Sequence, residues 1–234
     1  MKKMMKALLC AVLCLMLPLT AAIADVEINV NGSGEVLVTA DNAVVTLGVS
    51  LRDADAVQVQ SQVNEKIAKI RDALIAGGIP EENIHTDYIS IYPIYDYVDN
   101  EEKIAAYNAS TSLAIRTSEM DRIGEIIDIA FDAGANMLND IMFSAEDTAE
   151  ASAEAMRIAV ANAAEKAQIL ADACGMKIVG LESVTDSGAY SYTTGANNFS
   201  VKEMARDEAG ATVVRAAKIS VTANISAVYS AEAK

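Results

Sequence analysis

Twice in this chain, pairs of stretches in which every second residue is apolar run ahead of a stretch with helical spacing, and that order restricts the fold more than any other feature. Val26, Ile28 and Val30 alternate with polar neighbours, then Val36 and Val38, then Val45, Leu47, Val49 and Leu51. A period of two buries one side of an extended strand. From Asp53 the spacing becomes helical: Val57, Val63, Ile67, Ile70 and Leu74 share a face, and Gly77-Gly78 followed by Pro80 ends the helix. The second cycle begins with residues 84 to 97 and their expected hairpin partner, 104 to 116, across the polar turn Asp99-Asn100-Glu101-Glu102. A helix from Ser118 to Ala133 follows, with Ser118 as its cap, Ile123, Ile127 and Ala130 inward, and Gly134 as its stop. Strand pairs ahead of helices argue against the strict alternation of a parallel nucleotide-binding fold.

The rest of the chain extends this pattern. A short strand near Ala135 to Ser144 is expected, then an alanine-rich helix from Thr148 to Cys174 closed by Gly175, then closing strands over Ile178 to Thr185 and Val213 to Tyr229. Gly32-Ser33-Gly34 reads as a tight turn and Pro93 as a bulge or an edge position. Residues 186 to 210, rich in Gly, Ser, Thr, Asn and Tyr, read as an exposed loop. The expected fold is α+β, largely antiparallel sheet with three main helices packed on it, in a single domain over residues 25 to 234 made of one or two lobes.

Residues 1 to 24 are set apart from that domain. Lys2, Lys3 and Lys6 precede an apolar run from Ala7 to Leu17 and the small-residue end Ala22-Ile23-Ala24. The run is too short to span roughly 30 Å of hydrocarbon, so the segment reads as a cleaved export signal. Neither Cys10 nor Cys14 follows the branched-then-small residues of a lipid-attachment site, so no lipid anchor and no integral membrane segment is expected in the mature chain. Cleavage leaves 15 Lys and Arg against 33 Asp and Glu, a net charge of −18. A surface this acidic repels phosphate backbones, which argues against nucleic acid as a partner. Cys174 is then the single cysteine; its place after Met156, Val160, Ala163, Ala167 and Leu170 predicts a packed, unreactive thiol on an apolar stripe.

Reactive constellations are scarce. Gly32-Ser33-Gly34 lacks the lysine and following helix of a phosphate loop. His85 is the only histidine, and with Asp87 it fits an exposed polar strand face better than a catalytic pair. Asp53 with Asp55, Glu81 with Glu82, and Glu146 with Asp147 and Glu150 stand where helices start, where negative charge complements the helix dipole. No catalytic residue, cofactor site or metal site is assigned. The tyrosines offer more: Tyr88, Tyr92, Tyr95, Tyr97 and Tyr107 fall in one expected hairpin, and Tyr190 and Tyr192 in the later loop. Tyrosine combines apolar area with a polar tip, so these seven mark a candidate interaction surface, against ordinary cross-strand pairing.

The motifs in order are G-x-G-E at Gly32 to Glu35, Asp41-Asn42-Ala43, Leu74 with Gly77-Gly78, and Ile89-Ser90-Ile91-Tyr92-Pro93 followed by Tyr95. Tyr107-Asn108-Ala109-Ser110, Gly134-Ala135-Asn136, Ile141-Met142-Phe143-Ser144 and Ser220 to Ile225 follow. This series resembles the SIMPL-domain family, whose bacterial members include exported proteins of the periplasmic immunogenic kind. The resemblance implies an α+β fold, an extracytoplasmic setting, a tendency to form homo-oligomers and a loose link to envelope or oxidative stress, with no agreed activity and no catalytic residues to carry over. The leading expectation is therefore a non-enzymatic envelope protein acting through homo-oligomerisation and contacts with envelope proteins. Two alternatives stay open: a hydrolase or metal-dependent enzyme built on the acidic clusters and His85, and a small-ligand module with a closed apolar pocket.

Overall fold

A computed structural model of the chain describes residues 26–98, 101–193, 212–216 and 218–234; residues 1–25, over which an export signal is expected, and the side chains of 98, 101 and 189–193 lie outside the description. The strands form two antiparallel sheets. One has the order β1 (Val26–Thr39), β7 (Lys218–Ala233), β6 (Met176–Thr193). The other has the order β3 (Ile84–Val98), β4 (Glu101–Thr117), β2 (Asn42–Asp53), β5 (Met137–Ser144). Helices α1 (Ala56–Ala76) and α2 (Ile123–Asp132) cover one face of the four-stranded sheet, and α3 (Ala149–Ala173) covers one face of the three-stranded sheet. The fold is α+β, as the order of periods predicts.

The two cores are made of different residues. Under α1 and α2, Val59, Val63, Ile70, Leu74, Ile123 and Ile126 meet Val45, Leu47, Val49, Ile115 and Phe143, all fully or nearly fully buried. Under α3, the buried residues that the helix contributes are alanines, Ala155, Ala159, Ala163, Ala167 and Ala171, with half-buried Met156 at their side, against Ile28, Val30, Ala223, Ile225 and Ala227. Alanine brings the helix backbone down onto the strand. A Cβ added at Gly32 would stand 2.0 Å from the Ala159 carbonyl oxygen, and one at Gly34 would stand 2.0 Å from that of Ala155. The expected turn at Gly32-Ser33-Gly34 is therefore absent: β1 pairs with β7 without interruption from Val26 to Thr39, and the glycines provide room for α3.

The same contact corrects the reading of Cys174. The buried row on α3 recurs strictly every fourth residue from Ala151 to Ala171, drifting round the helix by about 40° per step. Val160 and Leu170 fall off that row and are exposed, while Cys174 is the C-terminal cap, past the last helical turn, and is exposed too. On α1, Val57 is 80% exposed because it lies two positions, about 200°, from buried Val59. Residues 186–193, expected in a loop, continue β6 opposite Ile219 to Ile225, and residues 194–211 lie outside the described residues. Val213 precedes β7, which begins at Lys218. There Thr212 donates its amide and hydroxyl to the Asp128 carboxylate at 3.0 and 2.6 Å, and Gly124 leaves room for the Thr212 carbonyl against α2.

Helix ends follow local chemistry. Asp55 caps α1, accepting from the amides of Val57 and Gln58 at 2.8 Å, and Gly78, at φ +91°, takes the left-handed turn that follows the helix. Ser118 does not cap α2: a short 3-10 turn, Met120–Arg122, precedes it, and Thr117 Oγ1 accepts from the Glu119 amide instead. The Asp41-Asn42-Ala43 motif ties β2 to the end of β5, with Asp41 Oδ1 accepting from the Glu146 amide at 2.9 Å.

Candidate interaction surface

The hairpin β3–β4 carries the surface. β3 is an edge strand, as Pro93 suggests, with register shifts at Thr86/Tyr88 and Ile94/Tyr95. β4 pairs with β2 only from Tyr107 to Thr117, so, among the described residues, 101–106 pair with β3 alone and the far end of the hairpin is a two-stranded ribbon. Such a ribbon has little stability by itself in water. Paired residues on antiparallel strands share a face, and this sorts the tyrosines into three environments. Tyr88 and Tyr92 pair with Ser112 and Asn108, on the face opposite α1. Tyr95 and Tyr97 sit on the ribbon, Tyr97 being 76% exposed, with exposed Ile104 across from Tyr95. Tyr107 is half-buried and packs against the larger core.

Two features escape a reading of periods. Ile89 and Ile91 point to the same face as core residues Thr111 and Ala109 yet are exposed, because α1 scarcely reaches β3. Their alternation with Ser90 marks a strand but gives no warning of where the helix ends its cover. The other feature is a hydroxyl cluster on the open face: Ser110 Oγ donates to Ser50 Oγ at 2.8 Å, and Asn108 Oδ1 lies 3.2 and 3.1 Å from the Ser50 and Ser110 hydroxyls. Asn136 supports it from β5's end, its amide donating to the Ser50 carbonyl and accepting from the Ser50 amide, both at 2.8 Å. The β-backbone of Ser50 is thus paired by a side chain.

Tyr190 and Tyr192 pair through their backbones with Thr222 and Ser220, in the other sheet. Their side chains lie outside the described residues, and the structure does not join them to the hairpin. His85 and Asp87 are exposed; Asp87 sits at a register shift and accepts from Ser112 Oγ at 3.2 Å. Asp53 and Asp55 serve the start of α1, whereas Glu81 and Glu82 form a 3-10 turn beyond its end, about 30 Å away along 21 residues. These four carboxylates share no cleft. Asp147 accepts from the Ala149 amide at the start of α3. Among the described residues no three of His, Cys, Asp and Glu converge. A cleft of about 400 Å³ is lined by Asn31, Gly32, Ser33, Lys166, Ser187, Asn224 and Ile225, polar rather than the closed apolar pocket that a small-ligand module requires.

Charge pairs hold the periphery. Arg122 donates to Glu125 at 2.8 Å, to Glu119 at 2.5 Å and to the Gly77 carbonyl at 2.7 Å, joining the end of α1 to the start of α2. Those bonds hold the guanidinium charged and keep the Glu125 carboxyl below its ordinary range, mainly through the hydrogen bond from Arg122. Asp172 is lowered in the same way, first by the Lys234 hydrogen bond and then by that from Gln168.

Fold and surface together define an α+β protein of two one-sided antiparallel sheets, one of which extends an exposed tyrosine-bearing hairpin. The chain belongs to the SIMPL family, described as proteins of unknown function (DUF541), whose model matches residues 28–229. It is 35% identical over 165 residues to the 26 kDa periplasmic immunogenic protein of Brucella melitensis, and to that of Brucella abortus, a match over 68% of this chain and 65% of each relative. It is 24% identical over 158 residues to the uncharacterised protein YggE of Escherichia coli, over 68% of this chain and 64% of YggE. The Brucella relatives are periplasmic, in agreement with the extracytoplasmic address read from residues 1 to 24. No helix among the described residues is long and apolar enough to cross a membrane.

Proposed function

We propose that this chain is a non-enzymatic, extracytoplasmic SIMPL protein that acts by homo-oligomerisation and contacts with envelope proteins, and that its setting is the envelope stress response its family resemblance implies. The observation that carries the reading is the ribbon at the end of β3–β4, where Tyr95, Tyr97 and Ile104 are exposed on two strands with no third strand beside them among the described residues. Exposed aromatic area on a weakly supported ribbon favours burial against a partner. Pro93 has no N–H, and register shifts interrupt β3, so association would proceed through the side-chain faces rather than by adding a strand to the edge. A second copy has the matching surface by symmetry.

Light scattering of the mature protein over a range of concentrations tests this. The expected result is an oligomer that the paired substitution Tyr95→Ala and Tyr97→Ala converts to monomer, with the far-ultraviolet circular dichroism unchanged. A wild-type protein that stays monomeric at every concentration would overturn the assembly.

A further inference from the structure

Four strands stand at the edges of the two sheets, and three of them are interrupted. β3 carries Pro93 and two register shifts, β6 has three register shifts, and β5 is eight residues long with a register shift. Such interruptions keep an edge from pairing with a further strand. β1 has none: its 14 residues pair with β7 in one register, and its other edge has no strand beside it among the described residues. Between Glu27 and Glu35 that edge is uncharged. Lys166 Nζ donates to the Asn31 carbonyl at 2.9 Å, so that carbonyl faces outward. Alternate residues of an antiparallel strand present both backbone groups to one side, so Asn29 and Ser33 face the same way. No carboxylate pairs with Lys166 among the described residues. Ile158, Asn162, Lys166 and Leu170 each follow a buried alanine of α3 by three residues and line the flank that overhangs this edge, Ile158 39% and Leu170 46% exposed. The polar cleft of about 400 Å³ opens at the same place, with Asn31, Gly32, Ser33 and Lys166 in its wall.

We infer that β1 takes up an extended peptide segment of another protein as a fourth strand of the three-stranded sheet, paired with Ile28 to Gly34 beside α3, and that Lys166 meets an acidic side chain of that segment. In strand addition, main-chain bonds supply affinity and side-chain contacts supply selectivity. The segment's own amide replaces Lys166 at the Asn31 carbonyl, which frees a cation on a mature chain whose net charge is −18, while Ile158 and Leu170 offer apolar contact. A second copy of β1 does not fit over this window. The α3 backbone lies directly on β1, since Cβ atoms added at Gly32 and Gly34 would stand 2.0 Å from the Ala159 and Ala155 carbonyl oxygens. Two such edges joined would set their helices about 4.8 Å apart, against the roughly 8–10 Å that packed helices need. A segment with no helix of its own meets no such obstacle.

The test uses the mature protein and a dye-labelled peptide, Lys-Thr-Val-Thr-Glu-Thr-Val-Thr-Lys, with fluorescence anisotropy as the readout. Strand addition engages one edge of the peptide, so N-methylation of alternate residues separates two isomers. Methyl groups on the pairing edge should weaken binding at least about tenfold, and those on the other edge should leave it within about twofold. Replacing the peptide's Glu by Gln, or Lys166→Ala in the protein, should each weaken binding about threefold to fivefold, and combining the two should add little. Ser33→Pro removes an outward N–H without touching the β7 ladder, and should abolish binding with the far-ultraviolet circular dichroism unchanged. Should Ser33→Pro fail to fold, the two methylated isomers decide. Oligomer mass should be the same in Lys166→Ala and Ser33→Pro as in wild type, so this proposal and the assembly proposal fail separately. No anisotropy change at millimolar protein, equal binding of the two isomers, undiminished binding by Lys166→Ala, or dissociation of the oligomer by Ser33→Pro, which would assign the edge to a second copy, each overturns it.

Discussion

The two sheets solve the same packing problem with opposite materials. Over β2 and β4, α1 and α2 lay down Val, Ile and Leu, and the space between helix and sheet is filled by side-chain volume. Over β1 and β7, α3 lays down alanines against glycines, and that space hardly exists. Both arrangements exclude water, but they fail differently. A core filled by large side chains is damaged by removing atoms, because a cavity remains. A contact between backbones is damaged by adding atoms, because neither backbone can step aside.

Three measurements would break or sharpen that contrast. The largest effect is expected for Gly34→Val, which drives a side chain into the Ala155 carbonyl; the cost should exceed about 3 kcal/mol, read as a lowered urea midpoint or failure to fold. Unchanged stability would mean that α3 does not sit on β1 as described. Next comes Leu74→Ala, fully buried under α1, for which a loss of about 3 kcal/mol is expected by the same measurement. If Leu74→Ala cost nothing while Gly34→Val did, the larger core would be the looser of the two.

The smallest effect concerns pH and probes both sheets' helices. Glu125 on α2 and Asp172 on α3 have carboxyls lowered by Arg122 and Lys234. A lowered folded value means that the unfolded state takes up the proton first as pH falls. Their stabilising contribution is therefore fully present above the unfolded carboxylate range, about 4, and is lost as pH drops through the folded values. Both side chains are about half exposed, so solvent screens the effect. In Glu125→Gln and Asp172→Asn the urea midpoint should vary less between pH 5 and pH 3 than in wild type, by a small margin that added salt reduces further. Identical slopes in wild type and variants would remove these pairs from the account.

Much of the fold was legible in the chain because strands and helices announce themselves by period. The antiparallel hairpin, the three helices, the edge position of Pro93 and the acidic cap at Asp55 all follow from local rules. The interaction surface was legible in part: five tyrosines fall on one hairpin, yet Tyr107 is turned to the core while Tyr95 and Tyr97 hang beyond the third strand. Where β2 stops alongside β4 cannot be read from β3. The serines beneath Tyr88 and Tyr92 come from three strands, and only the register brings them together.

The sequence by itself determined the α+β class, the order of elements, the glycine stops of the helices and, through the order of its motifs, the SIMPL family, because each rests on periods and turn chemistry within a few residues. Tertiary structure alone decided that Gly32 and Gly34 continue a strand, that Cys174 faces solvent and that the tyrosines divide among three environments. The reason is distance. Those outcomes depend on how closely α3 approaches β1 and how far α1 and β2 extend beside the hairpin, which are relations between segments many residues apart, and no local pattern encodes them.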